Sequence, residues 1–559
     1  MIFIGGNLSL ATLNAQASTR MQPIPGGSLS SRPKKAPLVG NPAKAPYKPW
    51  PALWSLVVGF FMILVDGNIV TIALPHMLQD LEASLSAGMW VTSAYLLAYA
   101  VPLLITGRMG DRFGQKNLYM IGMGIFTLAS LWCGLAPNVE SLITARVVQG
   151  LGASLMTPQT MSLITLMFPP NARGVAMSIW GATAGVASLV GPILGGVLVD
   201  TLGWGWIFFI NIPVGLVGLF LAWRNVPVFE QKKHSFDWLG VVLSAVGLFL
   251  LVFGIQEGAT YDWGTITDSF MGTGIAVSVW GLIIAGILVL GLFIGWQAIN
   301  PREPLVPLSL FSDRNFSVSN VAISAMGVVA ISMAFPLTLY LQQVEGLDPT
   351  QAALMTAPMA LFSGALAPVV GARLNRNDPK WIAVIGFTLM VVGFALLRPT
   401  MVAEGNLWLM VGPMIILGAA NACIWGPLSV SATRNLPPQR AGAGSGVYNE
   451  TRQMASVLGS AAITTIMASA ITSHLSALGP AAAAGGGSHD GAAGGVLPQI
   501  LREPYAVAMA DSMMLPLVAA AVGAVVCLFY ASMKTSEARG TAQNAARNTE
   551  AEPESENTK

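Results

Sequence analysis

Two charged side chains lie deep inside strongly apolar segments, where a charge needs a partner or a function. Asp66 lies in the apolar run 52–75, and Arg146 lies in the run 141–167. Asp66 stands about nine residues, or roughly 13 Å of helix, from the outer end of its run, and Arg146 stands at a similar depth. Burial favours the neutral form of a carboxyl group, whereas a nearby arginine favours its charged form. We therefore predict that Asp66 binds and releases a proton with Arg146 as its partner; for Arg146, a structural ion pair is the alternative.

A second group of polar residues, Asn449, Glu450 and Arg452, lies in the apolar run 444–470. Glu450 is about seven residues from the end of the run that is expected to face the cytoplasm. It is either an interfacial residue that pairs with Arg452 or a lipid headgroup, or a cavity residue that binds a cationic substrate or a second proton. The sequence leaves both readings open, so the three residues form a possible substrate or second-proton site.

Other chemistry finds little support in the sequence. The four histidines lie at helix ends or in loops, and the three cysteines lie far apart inside apolar runs. That distribution is typical of packing thiols rather than of metal ligands. No GxxxxGK[ST] phosphate-binding loop occurs. These features disfavour a membrane-embedded enzyme, a metal site and direct use of ATP, and we expect no cofactor, with a proton gradient as the energy source.

The composition indicates which elements must position these charges. Charged residues make up 10% of the 559 residues and hydrophobic residues 54%, whereas soluble proteins have roughly 25% charged residues. A spanning helix needs about 20 apolar residues. Fourteen such runs predict an all-α polytopic membrane protein. They lie near 52–75, 89–107, 117–136, 141–167, 174–199, 204–223, 237–255, 273–297, 318–341, 351–372, 381–398, 408–432, 444–470 and 511–531.

The basic residues give the orientation of these runs. If both termini are cytoplasmic, the cytoplasmic segments contain 24 of the 28 Lys and Arg residues. Only Arg398 and Arg502 fall in outer loops, and Arg146 and Arg452 fall inside runs. An extra or missing span would destroy this alternation. We therefore predict fourteen spans with both termini in the cytoplasm.

An internal repeat divides the chain. Gly107, Arg112 and Lys116 after the second run are matched by Gly371, Arg376 and Lys380, each 264 positions later, and the Pro-Pro loop before Arg173 is matched by one before Arg440. Two matches at similar spacing indicate duplicated halves with two added helices between them. The predicted regions are a disordered leader (1–48), a six-helix bundle (49–225), two additional helices (226–300), a second six-helix bundle (301–533) with a flexible external loop at about 473–509, and a disordered tail (534–559).

The loop 107–116 resembles the signature loop of the major facilitator superfamily. The resemblance implies a conformational latch between the two halves, in which Asp111 pairs with Arg112 or with a basic residue across the interface. The family's glycines and charges fall here on Gly107, Asp111, Arg112, Gly114 and Lys116. We expect the latch to make and break as the halves rock.

Three further segments resemble motifs of the same superfamily. The segment around Arg146 resembles a fourth-span motif that is associated with proton transfer, and Asp66 falls on the acidic position of a first-span motif. Both, with the count of fourteen, resemble the drug:proton antiporter family that includes EmrB and QacA. The segment 185–196 resembles the antiporter motif, which favours export. That motif comprises Gly185, Gly191, Pro192, Gly195 and Gly196.

These observations favour a proton-coupled exporter with a major facilitator fold arranged as 6+2+6 helices. Its expected partners are protons, small amphipathic or cationic drugs and the lipid bilayer, without nucleic acid, and it is expected to work as a monomer in the cytoplasmic membrane of a bacterium. An exporter of one physiological metabolite, such as a lipid, siderophore or amino acid, is the alternative. A membrane-embedded enzyme is a weaker one.

Overall fold

The computed structural model describes most of the membrane region. The described residues are 47–83, 85–229, 237–258, 261–267, 276–300, 304–374, 376–437, 440–475 and 497–531. The predicted disordered tail lies outside them, and so does the predicted leader except for Tyr47 and Lys48. Tyr47 donates a hydrogen bond to the carbonyl oxygen of Met167 at 2.9 Å, which ties the start of the first helix to the end of the fifth.

The chain is almost entirely helical within these residues. The first half comprises α1 (Pro49–Asp80), α2 (Leu85–Ala100), α3 (Leu103–Phe113), α4 (Gln115–Gly134), α5 (Val139–Met167), α6 (Pro170–Leu202), α7 (Trp206–Phe209) and α8 (Asn211–Asn225). Two helices follow, α9 (Trp238–Glu257) and α10 (Val279–Ile299), joined by a small antiparallel pair of strands, β1 (Thr265–Thr267) and β2 (Val277–Ser278). The second half comprises α11 (Arg314–Leu339), α12 (Pro349–Leu374), α13 (Pro379–Leu397), α14 (Val411–Thr433), α15 (Ala441–Leu475), α16 (Gln499–Ser512) and α17 (Met514–Cys527).

Each of the fourteen predicted runs overlaps a described helix. Among the described residues, 12 helical stretches are long and apolar enough to cross a membrane, and a bent pair across α2 and α3 adds a thirteenth. The remaining run is α5, a helix of 29 residues that contains Arg146 and a series of buried polar side chains. α5 is therefore long enough to span a membrane but less apolar than a typical span. Its polar side chains are tolerated because neighbouring helices cover them.

The two halves repeat the same pattern of helix packing. In the first half, α4 packs on α5, α5 on α2, and α1 on α6; in the second, α13 packs on α14, α14 on α12, and α11 on α15. The contacts of α8 with α1 and α4 are likewise matched by those of α17 with α11 and α13. The internal repeat in the sequence thus corresponds to two equivalent bundles.

The interface between the halves follows the same symmetry. α6 packs along α12, and α15 packs along α3. At both places a glycine allows the backbones to approach closely. A Cβ at position 107 would lie 2.7 Å from the carbonyl oxygen of Gly442, and a Cβ at position 371 would lie 2.6 Å from Cα of Val175. Close backbone approach of this kind is the usual function of small residues between membrane helices.

The two added helices form a hairpin, since α9 packs mainly on α10. Asp237, the N-cap of α9, connects this hairpin to the second half. Its carboxylate accepts hydrogen bonds from Trp296 Nε1 and Gln297 Nε2, both at 2.8 Å, and from the backbone N–H of Leu305 at 3.4 Å. Burial by itself would raise the pKa of Asp237, but these bonds and one from Gly240 N–H outweigh it and lower the pKa.

The predicted flexible external loop at about 473–509 extends too far at its C-terminal end. α15 continues to Leu475 and α16 already begins at Gln499, while residues 476–496 lie outside the described part. The charged residues Arg502 and Glu503 interrupt the apolar pattern, yet they are accommodated within α16. Arg502 Nε donates to Leu497 O at 3.0 Å, and a Glu503 carboxylate oxygen accepts from Ala403 N–H at 3.1 Å.

Candidate functional site

Asp66 and Arg146 meet inside the first bundle. Asp66 lies on α1, Arg146 lies on α5, and the Nη1 atom of the arginine is 2.6 Å from Oδ2 of the carboxylate. Both side chains are fully buried, with exposed fractions of 0%. A charge this far from water is maintained only by a close counter-ion and hydrogen bonds.

Two amide side chains complete the hydrogen bonding of Asp66. Gln149 Nε2 donates to Oδ1 at 2.9 Å, and Asn211 Nδ2 donates to the same oxygen at 2.8 Å. Gln149 also donates to Ser130 Oγ at 2.8 Å. The carboxylate therefore connects α1 with α5 and with the first residue of α8, and Ser130 links the network to α4.

Aromatic rings and backbone groups surround the guanidinium of Arg146. Its Cζ lies 4.0 Å from the centroid of the Tyr95 ring and 5.7 Å from that of Phe208. Nε donates to the carbonyl oxygen of Val91 at 3.3 Å, and Nη1 also donates to Gln149 Oε1. Within the part of the chain that the structure describes, Nη2 has no hydrogen-bond partner. A ring face and an incomplete set of acceptors leave the arginine dependent on Asp66 for most of its charge compensation.

The sequence pointed to Asp66 and Arg146 but did not assign Gln149, Asn211 or Ser130 to the site. Gln149 follows Arg146 by three positions, a spacing that places both side chains on one face of a helix. Asn211 is an amide at the centre of an apolar stretch. A polar residue inside an apolar run was the only sequence feature that could have indicated Gln149 and Asn211. That both bind Asp66 depends on the packing of α5 and α8 against α1.

Asp111 joins the halves through backbone amides, and its pairing with Arg112 or with a basic residue across the interface stays a prediction. Within the first half, Gln115 Nε2 donates to Oδ1 at 3.3 Å, and Arg108 Nη1 lies 3.9 Å from Oδ2. Across the interface, Oδ1 accepts from Gly442 N–H at 2.9 Å and Oδ2 accepts from Ala443 N–H at 3.0 Å. These amides open α15, and the unsatisfied N–H groups and dipole at a helix N-terminus attract a carboxylate.

Other residues of the predicted latch make contacts within the first half. Lys116 Nζ donates to the carbonyl oxygens of Trp223 and Val226 at 2.8 and 2.7 Å, so it caps the end of α8. Gly114 separates α3 from α4 with φ of 91°, a backbone conformation that favours glycine. The Arg112 guanidinium lies 5.2 Å from the centroid of the Phe113 ring. Two latch residues contact the second half: Gly107 through the close approach to the backbone of Gly442, and Asp111 through its two hydrogen bonds to α15.

The residues of the predicted antiporter motif lie on α6, which is continuous through Pro192. A Cβ at position 191 would lie 2.9 Å from Asn68 Cβ on α1, and one at position 196 would lie 2.8 Å from Thr350 Oγ1 on α12. A Cβ at position 185 would meet Ser363 Oγ on α12 at 3.3 Å. Gly195 is also buried. The motif therefore lets α6 pack tightly between the helix that contains Asp66 and the second half.

The three residues of the predicted second site on α15 point to different places. Asn449 Nδ2 donates to Ser445 O at 2.9 Å and lies 3.8 Å from Met161 Sδ on α5. The Arg452 guanidinium lies 5.9 Å from the centroid of the Trp425 ring on α14. Glu450, 5% exposed, lines a cavity next to α10. No ion pair between Glu450 and Arg452 exists among the described residues, and neither carboxylate oxygen of Glu450 has a hydrogen-bond partner there.

Comparisons with known proteins agree with this architecture. Residues 56–460 match the family model of the Major Facilitator Superfamily. The chain is 48% identical over 481 residues to an uncharacterized MFS-type transporter of Mycobacterium tuberculosis, covering 86% of this chain and 81% of the relative. It is 32% identical over 428 residues to the tetracenomycin C resistance and export protein of Streptomyces glaucescens (76% and 77% covered). It is 30% identical over 426 residues to the multidrug export protein EmrB of Escherichia coli K12 (75% and 80% covered).

Solved structures share the fold at low sequence identity. The human organic anion transporter MFSD10 (TETRAN) superimposes with a TM-score of 0.54 at 13% identity, covering 85% of this chain and 100% of the other. The proton:xylose symporter XylE, solved with 6-bromo-6-deoxy-D-glucose, gives a TM-score of 0.55 at 13% identity, covering 85% and 94%.

The chain is therefore a multi-pass membrane transporter that belongs to the major facilitator superfamily. Within that superfamily it belongs to the EmrB-like drug:proton antiporter family, as the motifs around Asp66 and Arg146 predicted.

Proposed function

We propose that this protein is a secondary active antiporter that exports amphipathic or cationic drugs in exchange for protons. The observation that carries the proposal is the carboxylate of Asp66, fully buried and bound to Arg146, Gln149 and Asn211. A proton gradient is its energy source, and it works without a cofactor. It functions as a monomer in a bacterial cytoplasmic membrane with both termini in the cytoplasm, and nucleic acid is not among its partners.

Protonation of Asp66 changes the packing of the first bundle. The neutral acid no longer compensates the charge of Arg146, and its O–H cannot accept the bonds that both carboxylate oxygens accept now. α1 is then held less tightly to α5 and α8. Because Gly191 of α6 lies against Asn68, two residues from Asp66, movement of α1 passes directly to α6.

α6 then transmits the change to the second half. It packs on α12 along the interface, where a Cβ at position 196 would lie 2.8 Å from Thr350 Oγ1. Proton binding and the rocking of the halves are coupled in this way, as alternating access requires. The Asp111 bonds to the first amides of α15 stabilise one of the two states.

The proposed substrate class and direction rest on relatives and on the predicted motif. The relatives named above are a tetracenomycin C export protein and a multidrug export protein. Export of an amphipathic molecule against its gradient needs an energy source, and the Asp66 network offers a proton-binding group for it.

The decisive experiment is transport of a fluorescent lipophilic cation in proteoliposomes under an imposed pH gradient. Wild type is expected to transport it only with the gradient, and Asp66→Asn is expected to lose at least about 100-fold of the driven rate, since a residue of the coupling step has been removed. Asp80→Asn is the matched control, because Asp80 lies exposed at the end of the same helix. Retention of driven transport by a well-expressed Asp66→Asn protein would contradict the proposal.

The same vesicles separate the alternative functions. An exporter of one metabolite would leave the fluorescent cation untransported and would respond to one member of a metabolite panel. Turnover of a substrate without any gradient would indicate an enzyme instead.

A further inference from the structure

A cavity lies between the added hairpin and the second half, away from the Asp66 network. Its volume is about 670 Å³, and its walls come from α10, α11, α15 and α17, with Leu104 of α3 at one side. Ligand pockets in proteins have volumes of about 300–1,000 Å³. The space therefore suits a molecule of drug size.

The lining of the cavity is mostly apolar, and one of its side chains is ionisable. Of the described residues that line it, Glu450 alone is ionisable. Both of its carboxylate oxygens are buried and lack a hydrogen-bond partner in the described part of the chain. An unpaired buried carboxylate is costly in a membrane protein, and such residues commonly mark a ligand or ion pathway.

The neighbouring polar groups are engaged elsewhere. Ser324 Oγ donates to Asn320 O at 2.9 Å, and Thr451 Oγ1 donates to Val447 O at 2.8 Å. Gln297 uses its amide for Asp237 and for the Val306 N–H. These side chains therefore donate no hydrogen bond to Glu450, and its carboxylate oxygens can accept one from a bound ligand.

The cavity borders the surface that lipid covers. Four of its lining residues are half exposed, namely Ile294 (56%), Val321 (52%), Leu458 (51%) and Val522 (50%). They come from α10, α11, α15 and α17, so each main wall contributes to the opening. An amphipathic molecule dissolved in the bilayer can reach the carboxylate along this route without passing through water.

We propose that this cavity is a membrane-entered binding site for lipophilic organic monocations, with Glu450 as their counter-ion and α10 as one wall. The inference rests on the proposed function for the identity of its ligand as an exported substrate, but binding itself requires no proton gradient. It also gives the two added helices a role, because without α10 the cavity would lose one wall.

The test is equilibrium binding of tetraphenylphosphonium to the purified chain in lipid nanodiscs, without a pH gradient. Glu450→Gln is expected to weaken binding about tenfold or more, because it removes the one charge that the cavity offers the cation. Tetraphenylborate, which has the same shape and the opposite charge, is expected to bind wild type far more weakly than the cation does. A Glu450→Gln isotherm that superimposes on wild type, or equal binding of the two ions, would overturn the proposal.

A second variant tests the cavity rather than the charge. Ala519→Phe on α17 places a ring in the space and is expected to weaken binding as much as Glu450→Gln does. Val518→Phe is the matched control, since Val518 is half exposed on the same helix and does not line the cavity. Unchanged binding by Ala519→Phe would overturn the placement of the site.

The Asp66→Asn variant separates this proposal from the proposed function. It is expected to bind tetraphenylphosphonium within about twofold of wild type and to lose driven transport. If wild type binds the cation through Glu450 and transports nothing, the proposed function fails while the site stands. If wild type transports the cation and Glu450→Gln binds it equally well, the site fails while the function stands.

Discussion

Asp66 and Glu450 are both carboxylates buried among membrane helices, but their surroundings are opposite. Asp66 has an arginine counter-ion and two amide donors, whereas Glu450 has no hydrogen-bond partner among the described residues. A carboxylate that is fully paired by its own protein is changed most directly by a proton. One that is left unpaired beside an open cavity is suited to a cation that arrives from outside.

The two carboxylates also lie in different parts of the molecule, so we place proton binding and substrate binding at separate sites. The Asp66 network lies within the first bundle and joins α1, α5 and α8. Glu450 lies on α15 of the second bundle and faces the added hairpin. The two sites are connected through the interface between the halves, where Asp111 and Gly107 contact the start of α15.

The largest effect on stability is expected from Arg146→Met. This change leaves the Asp66 carboxylate buried without its counter-ion, which typically costs about 3–5 kcal/mol. We expect a large drop in the unfolding midpoint of the purified protein in detergent. The double variant Asp66→Asn/Arg146→Met is expected to recover much of the loss, because replacing both charges of a buried pair is often close to neutral.

Arg452→Met is the control for that comparison. Arg452 is partly exposed, and its guanidinium lies over the Trp425 ring at 5.9 Å. We expect a loss of about 1 kcal/mol or less. An equal decrease in the free energy of unfolding for the two arginine variants would mean that the Asp66 network stabilises the protein no more than the Arg452–Trp425 contact does.

Gly107→Ala tests the contact between the halves. Its new Cβ would lie 2.7 Å from a carbonyl oxygen of α15, so backbone must shift, at a cost of about 1–3 kcal/mol. Gly124→Ala on α4 is the control, because nothing lies within 4 Å of the new Cβ. That substitution is expected to raise the free energy of unfolding by up to about 1 kcal/mol. Identical unfolding midpoints for both variants would argue against close packing at Gly107.

Asp111→Asn tests the latch with a smaller change. An amide can accept only one of the two backbone bonds and leaves the other N–H opposite a donor, which costs about 1–3 kcal/mol. Asp378→Asn is the matched control, since its bond from Lys380 N–H is one that asparagine also accepts. We expect Asp111→Asn to lower both stability and driven transport, and Asp378→Asn to leave both near wild type. Normal transport by Asp111→Asn would contradict the role of this contact in the transport cycle.

Asp237 extends the comparison to a carboxylate outside the spans. Hydrogen bonds lower its pKa despite burial, so its contribution to stability is present above the ordinary value and is lost as pH falls through the lowered one. The contribution is expected to be below about 1 kcal/mol, since the group is substantially solvated. Proteolysis between α10 and α11 should increase in Asp237→Asn at neutral pH, and the difference from wild type should shrink below about pH 4. A difference that grows on acidification would contradict this assignment.

The smallest stability effect is expected from Glu450→Gln. The carboxylate makes no hydrogen bond that the structure describes, so a neutral amide in the same place should leave the unfolding midpoint unchanged or slightly higher. A clear destabilisation would show that Glu450 has a structural partner and would weaken its assignment to a ligand site.

Much of the fold could be predicted from the sequence, because length and apolar composition specify spanning helices. The repeat at Gly107 also predicted which helices are equivalent, and the packing of the two bundles agrees with it. The C-terminal end of the predicted external loop is helical, since a helix can continue through charges such as Arg502 and Glu503 that the rest of the protein satisfies.

The site was predicted only in part, for a physical reason. Asp66 and Arg146 stand out because charges are rare in apolar runs. The groups that Asp111 binds at the start of α15 are backbone amides, which have no residue type to signal them. Glu450, Asn449 and Arg452 are close in sequence, but helical rotation sends their side chains to different neighbours. The cavity beside Glu450 depends on where α10 packs, and no local sequence pattern predicts that position.

The most direct test of the central claim is proton movement at Asp66 itself. Proteoliposomes with an internal pH indicator are given an imposed pH gradient, and a lipophilic cation is then added. We predict that the cation dissipates the gradient in wild type and in Asp80→Asn, and leaves it intact in Asp66→Asn. Dissipation by Asp66→Asn at the wild-type rate would contradict the claim that this carboxylate carries the proton.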